Sequence, residues 1–479
     1  MTTENRRKEV NEAKTGDSGQ NPVQLTNGVM VDKAEKEKSI LPDHQQYTLP
    51  LEIRYIPKIR GVVSDDNILT ATEIVIRNKG APGVDGITIE EIKDYMKEHW
   101  PKIKQDILEG KYRPKPVRRV EIPKPDGSGV RKLGIPTVVD RIIQQAIYQE
   151  IVLTFDSAFS DNSYGFRKGR RAQHAVYKAQ KYIQEGYTWV VDIDLEKFFD
   201  KVNHDILMSR VAKRVQDKKI LLLIRRFLQA GVMEDGIIQA TEEGTPQGGP
   251  LSPLLSNIML DDFDKELEKR GLRFARYADD CNIYVKSEKA AKRVIASVTR
   301  FLTTKLKLKV NEQKSAVARP WERKFLGFTF TQGKDSGQIT IHESRVRKLK
   351  DKIRGLTKKM RGMNITDSIR KLIMPTTRGW ANYFSIAETL RIFTNLDGWI
   401  RRKIRSILWR QWKKPRTRRK KLIELGIKDS TARKHAYSSK GPWKMSRCYC
   451  IHKALSNQAI ENLGYTPMIT IVCARLQCS

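Results

Sequence analysis

The chain has 479 residues, with 91 lysines and arginines against 55 acidic residues and a formal charge of +36. That excess calls for a polyanionic partner, nucleic acid first and an anionic membrane surface second. No stretch approaches the roughly 18 consecutive apolar residues of a membrane span, and five cysteines in this length make no disulfide framework.

The first eight residues carry mixed charge and lead into no apolar run, so no secretion signal is expected; the expected compartment is reducing and contains nucleic acid. Length alone allows roughly three domains. Residues 1–45 are polar and poor in aromatics and read as a disordered arm. Residues 46–335 mix helical stretches with short β-branched runs, the signature of an α+β body. Within 336–425 the periodicity turns helical from Ile341 onward, with Lys and Arg on the polar faces. Residues 426–479 hold turn residues, scattered aromatics and four of the cysteines.

Lys124 and Arg131 flank Asp126-Gly127-Ser128-Gly129, a turn-rich tip between two extended runs; either cation alone could be a solvated loop charge. Trp189 to Leu195 alternates aspartates with apolar residues, as a strand with one buried face would, which sets Asp192 and Asp194 on one side. Thr245-Pro246-Gln247-Gly248-Gly249 is a tight turn whose glycines allow close backbone approach to a ligand. Tyr277-Ala278-Asp279-Asp280 lies between two short alternating runs and reads as the tip of a β-hairpin. Adjacent carboxylates repel unless a cation relieves them, so the pair suggests a divalent-metal site, although an isolated Asp-Asp is more often a solvated turn. Asp194 at a strand end and the pair on a hairpin fit phosphoryl transfer through two metal ions about 4 Å apart.

Downstream, 12 of the 21 residues from Arg401 to Lys421 are basic and none is acidic. Ile400, Ile404, Ile407 and Leu408 keep a helical stripe beneath that charge, and Trp399, Trp409 and Trp412 read as packing anchors. Taken alone, such a helix suits a nucleic-acid track, a membrane surface or calmodulin. Cys448, Cys450, His452, Cys473 and Cys478 lack the paired spacing of compact zinc sites and read as plain thiols and a histidine in a basic segment.

In order along the chain, Asp194 to Phe199, Thr245 to Pro253 and Tyr277 to Asp280 resemble motifs A, B and C of reverse transcriptases. Further matches are Ala81 to Gly86, Ile122 to Gly127, Leu133 to Thr137 and Asp161 to Arg167, while Phe325-Leu326-Gly327-Phe328 resembles a primer grip. Together they make the stretch from about 50 to 330 similar to the group II intron reverse transcriptases, or maturases.

The resemblance implies a right-hand polymerase, with fingers and palm carrying an antiparallel sheet over 46–335. A helical thumb or X domain over 336–425, where Arg378 to Phe384 carries the likeness, and a small DNA-binding segment over 426–479 would follow. It implies Asp194, Asp279 and Asp280 as catalytic carboxylates. Two Mg²⁺ ions, with Mn²⁺ as substitute, would be held by Asp194, the Leu195 backbone carbonyl, Asp279 and Asp280. Asp192 stands two residues early and reads as structural. Phe199 would be the steric gate favouring dNTPs, with Phe198 in the core. Lys124 and Arg131 would meet the triphosphate, Gln247 the nucleotide and templating base, and Lys314 would be general acid for the leaving pyrophosphate. Implied partners are the group II intron RNA, an RNA template–DNA primer duplex, target DNA and dNTPs, with no membrane, in a bacterial-type cytoplasm at the nucleoid.

Many relatives add an HNH endonuclease domain after this point; no matching His/Asn/Cys constellation is seen, so second-strand nicking is expected to be absent. Two further readings keep the motifs: an RNA-binding splicing maturase with a silent polymerase, and a reverse transcriptase of a defence or diversification system.

Overall fold

Short β-branched runs bounded by turn residues fold as strands here, and the longer amphipathic stretches as helices. In the computed structural model the described residues are 55–123, 129–234, 237–239, 243–244, 248–333 and 337–476. Lys124, Gln247 and Cys478 lie outside them. In chain order the strands are β1 (Val117–Pro123), β2 (Val130–Ile135), β3 (Trp189–Ile193), β4 (Val232–Glu234) and β5 (Ile237–Gln239). They continue as β6 (Arg273–Tyr277), β7 (Asp280–Val285), β8 (Ala316–Ala318), β9 (Phe328–Phe330) and β10 (Ile339–Ile341). Among the described residues they form three sheets, ordered β2-β1-β4-β5, β6-β7-β3-β8 and β10-β9.

The first two strands are the hairpin read from the Asp126–Gly129 turn, paired antiparallel from Arg118↔Ile135 to Pro123↔Val130. Arg131 lies in β2 opposite Ile122.

The central sheet is buried on both faces, and the strand period of two sorts its residues between two cores. Val191, Ile193, Phe274 and Ile283 join a core built with helices Val138–Asp156, Ser252–Lys269 and Glu288–Lys305. Val190, Ala275 and Tyr284 join a second core with helix Ala172–Gln184 and the C-terminal helices. Residues 54–479 thus form one unit, with the central sheet as the shared wall.

The second core takes in Phe325, Phe328, Ile400, Ile404, Trp409, Ile451, Tyr465 and Val472. Ile341 ends β10 instead of opening a helix; Glu343–Lys359 begins two residues later, where the His342 ring accepts the Ser344 backbone N–H. The stripe Ile400, Ile404, Ile407 and Leu408 is buried on helix Arg391–Gln411, together with Trp409.

The residues after 426 fold as short helices onto this same helix. The Asp397 carboxylate, fully buried, accepts the Tyr465 hydroxyl and the Met468 and Ile469 backbone N–H groups, so it caps helix Met468–Leu476. Arg405, one of the cations of the basic run, is buried and donates to the Leu455 carbonyl at 2.7 Å and to Asn457 at 3.0 Å.

Candidate active site

The hairpin tip forms as its alternation demands. Strands β6 and β7 pair from Arg273↔Tyr284 to Tyr277↔Asp280, leaving Ala278 and Asp279 as a two-residue turn. The twist of such a tight turn needs positive φ, and Ala278 adopts it at 58°. β3 pairs with β7 up to Ile193↔Cys281. One step further along that register sets Asp194 opposite Asp280, so two distant segments deliver their carboxylates to the same sheet end. The β3 strand stops at Ile193 because Leu195 turns away to bridge with Val310.

The hairpin is held from below by Arg276, fully buried in β6. Its guanidinium donates to the Ala278 carbonyl at 2.8 Å, to Asn257 at 3.1 Å and to the Ser163 hydroxyl at 2.8 Å, and it pairs with the buried Asp264 at 2.6 Å. Asn257 in turn donates to the Gly165 carbonyl at 2.9 Å. One arginine therefore ties the Asp161–Arg167 motif and helix Ser252–Lys269 to the strained turn.

Gly165 touches that turn so closely that a Cβ there would lie 2.3 Å from the Ala278 nitrogen. Gly165→Ala should therefore push the hairpin off its seat. Overpacking of that kind costs about 1–3 kcal/mol, so chemical denaturation should show the loss of stability and primer extension should fall with it.

Around the tip lies a cavity of about 560 Å³ lined by Asp192, Asp194, Asp279, Asp280, Gln313, Lys314, Arg323, Lys324 and His342, among others. The fold thus brings Asp194, Asp279, Asp280 and Lys314 together. Asp194 is fixed through its backbone: its N–H donates to the Ser315 hydroxyl at 3.0 Å, and its carbonyl accepts the Asn311 N–H at 2.8 Å. Asp192 is occupied by Arg323, whose Nε and Nη2 reach its Oδ2 at 2.9 and 2.6 Å.

Burial, then the charges of Asp192, Asp279 and Asp194, push the Asp280 carboxyl up to about 8. Burial also raises Asp192, against the pull of Arg323. Among the described residues no three His, Cys, Asp or Glu side chains are grouped tightly enough to hold a metal ion as they stand. The donor set nevertheless suits a hard divalent cation: it is all oxygen, and its carboxylates are mutually repelled in a partly desolvated pocket.

Phe198 is 3% exposed and Phe199 half-buried beside it, ring centroids 5.2 Å apart, following a left-handed Lys197. Cys448 lies 3.4 Å from the His435 ring and Cys450 is buried; neither meets the other cysteines in a ligand cluster among the described residues.

Reading by motif missed Arg276, Asn257, Asp264, Asn311, Ser315 and Arg323. None of them left a local signal: even Arg276 shares its five-residue strand with a second arginine, the exposed Arg273.

Residues 122–330 match the family model described as Reverse transcriptase (RNA-dependent DNA polymerase), and 346–424 match Group II intron, maturase-specific domain. The chain is 33% identical over 299 residues to Protein YkfC of Escherichia coli (strain K12), covering 54% of this chain and 78% of YkfC. It is 36% identical over 217 residues to the group II intron-encoded protein LtrA of Lactococcus lactis subsp. cremoris, covering 45% of this chain and only 36% of LtrA. A solved telomerase from Candida albicans, in complex with the TWJ fragment of telomeric RNA, aligns at TM-score 0.40 and 11% identity over 79% of this chain and 68% of that one. That likeness is too remote to carry any residue over.

Proposed function

The chain belongs to the group II intron reverse transcriptase and maturase family and carries its RNA-directed DNA polymerase domain; on that premise, we propose that it copies intron RNA into DNA. The observation that carries the proposal is the meeting of Asp194, Asp279, Asp280 and Lys314 around one cavity, from three segments spread over 120 residues of sequence.

In this reading 46–335 are fingers and palm, 336–425 the thumb and X domain, and 426–479 a DNA-binding segment. Two Mg²⁺ ions, replaceable by Mn²⁺, would be held by Asp194, the Leu195 carbonyl, Asp279 and Asp280, and when bound they supply charge neutralisation at the reacting phosphate. The chain's own residues do the rest. The backbone clamp on Asp194 and the Arg276 support of the hairpin keep the carboxylates from moving apart as the primer 3′-hydroxyl approaches the dNTP α-phosphate. Lys124 and Arg131 counter the triphosphate charge, Gln247 contacts the base pair, and Lys314 hands a proton to the departing pyrophosphate.

The edge of Phe199 would close the space a 2′-hydroxyl needs. Phe199→Val should raise ribonucleotide incorporation relative to dNTP at least about tenfold, the scale on which pocket shape discriminates, as single-nucleotide extension with rNTPs would show.

A second role, binding the intron RNA to assist its folding and splicing, is supported by the match to the maturase-specific model over 346–424. It needs the basic helices and not the carboxylates. Primer extension separates the two roles. Purified protein with oligo(dT) on poly(rA), dTTP and Mg²⁺ should extend the primer, and Asp279→Ala should not. Equal inertness of both, with splicing assistance intact, would leave the silent maturase. A gene lying outside any foldable group II intron would favour defence or diversification. Among the described residues no helix is long and apolar enough to cross a membrane; the proposed place of action is a bacterial-type cytoplasm, at the nucleoid.

A further inference from the structure

We propose that Arg323 is a positioning residue for Lys314, fixing the loop 311–315 against the catalytic strand; the proposal rests on the polymerase reading above. Lys314 is exposed at the rim of the carboxylate cavity. A side chain so placed is useful as a proton donor only if its backbone is held, because a long flexible lysine otherwise spreads over many positions.

The structure holds that backbone at three points. Asn311 donates its N–H to the Asp194 carbonyl at 2.8 Å. Ser315 receives the Asp194 N–H at 3.0 Å, and its own N–H closes a turn onto the Asn311 carbonyl at 2.8 Å. The third point is the Lys314 carbonyl itself, which accepts Arg323 Nη2 at 2.6 Å.

The same guanidinium grips Asp192, two residues before Asp194 on β3. Arg323 therefore links the strand that leads into Asp194 to the loop that carries Lys314, and it does so with a planar fork. Serving a carboxylate and a carbonyl at once is something one ammonium cannot do with the same geometry. Asp192 accordingly acts as the anchor of this link, which accounts for a buried aspartate beside the catalytic carboxylates that no motif assigns.

The competing explanation is a purely structural ion pair, and a double-mutant cycle distinguishes them. The rate of single-nucleotide incorporation would be measured under single-turnover conditions across pH, on an oligo(dT)–poly(rA) substrate, with thermal unfolding as the control for fold. Lys314→Met should lower the rate about a hundredfold and remove its decline at high pH, as loss of a general acid does.

Arg323→Lys keeps the charge beside Asp192 and should lower the rate about tenfold. In the Lys314→Met background the same change should alter it by less than about twofold, the limit of independent behaviour. Arg323→Gln combined with Asp192→Asn, which leaves no buried charge unpaired, should reproduce the Arg323→Lys loss at an unfolding midpoint close to wild type.

An equal tenfold loss with and without Lys314 would overturn the proposal, since Arg323 would then act elsewhere. A wild-type rate in Lys314→Met would overturn it together with the acid role, while the Asp279→Ala result would still stand for or against the polymerase itself.

Discussion

Alanine at Asp279 should abolish primer extension while leaving the fold at least as stable as wild type. A metal ion held by these carboxylates would contribute several kcal/mol of charge stabilisation at the reacting phosphate, and its loss would then lower the rate about a thousandfold. The stability forecast has the opposite sign for a reason visible in the site. Asp279 is one of the carboxylates whose charge raises Asp280, so without a cation its removal relieves repulsion. Mg²⁺ should raise the thermal midpoint of the wild type, because a ligand of the folded state alone stabilises it, and should do so much less in the variant. A variant that loses activity and stability together would point to a scaffold role for Asp279 instead.

The largest stability effect should come from Arg276→Met. Breaking a buried ion pair by removing one partner costs about 3–5 kcal/mol, because the other charge stays behind uncompensated. Here the remaining charge would be Asp264, which is fully buried and otherwise shifted upward by desolvation. Arg276→Met combined with Asp264→Leu should recover much of that loss, since apolar groups of similar volume often replace a buried pair at little cost. It should not recover primer extension, because the Ala278 carbonyl would still lack its donor at 2.8 Å. Denaturant midpoints for the two variants and the wild type, with extension assays beside them, separate the stabilising share of Arg276 from its hold on the turn. Full recovery of activity in the double variant would mean that the hairpin needs no such hold.

Local order was readable in the chain wherever its cause was local. The alternation on either side of Ala278-Asp279, the extended runs Val117–Pro123 and Val130–Ile135 and the stripe from Ile400 to Leu408 each fold as their pattern requires. Asp194 could likewise be placed at a strand end. The gap between Ile341 and Glu343 is a boundary difference of two residues, set by pairing of β10 with β9 across a turn, which the helical period does not encode.

What the sequence determined by itself was therefore the inventory: a polyanion-seeking charge, the elements, and the three aspartates worth bringing together. Only the tertiary structure decided which charges work outside and which inside. Arg276, Arg323 and Arg405 look like any of the 91 basic residues in the chain. Their partners lie 12 residues away at Asp264, 131 at Asp192 and 50 at Leu455. Groups at such separations meet only where the sheet and both cores bring them together. Burial of Arg276 and Arg405 turns charges that water would leave unremarkable into ones that must be paired, and the partners of Arg276 and of the half-buried Arg323 hold the carboxylate hairpin and the loop beside it in place.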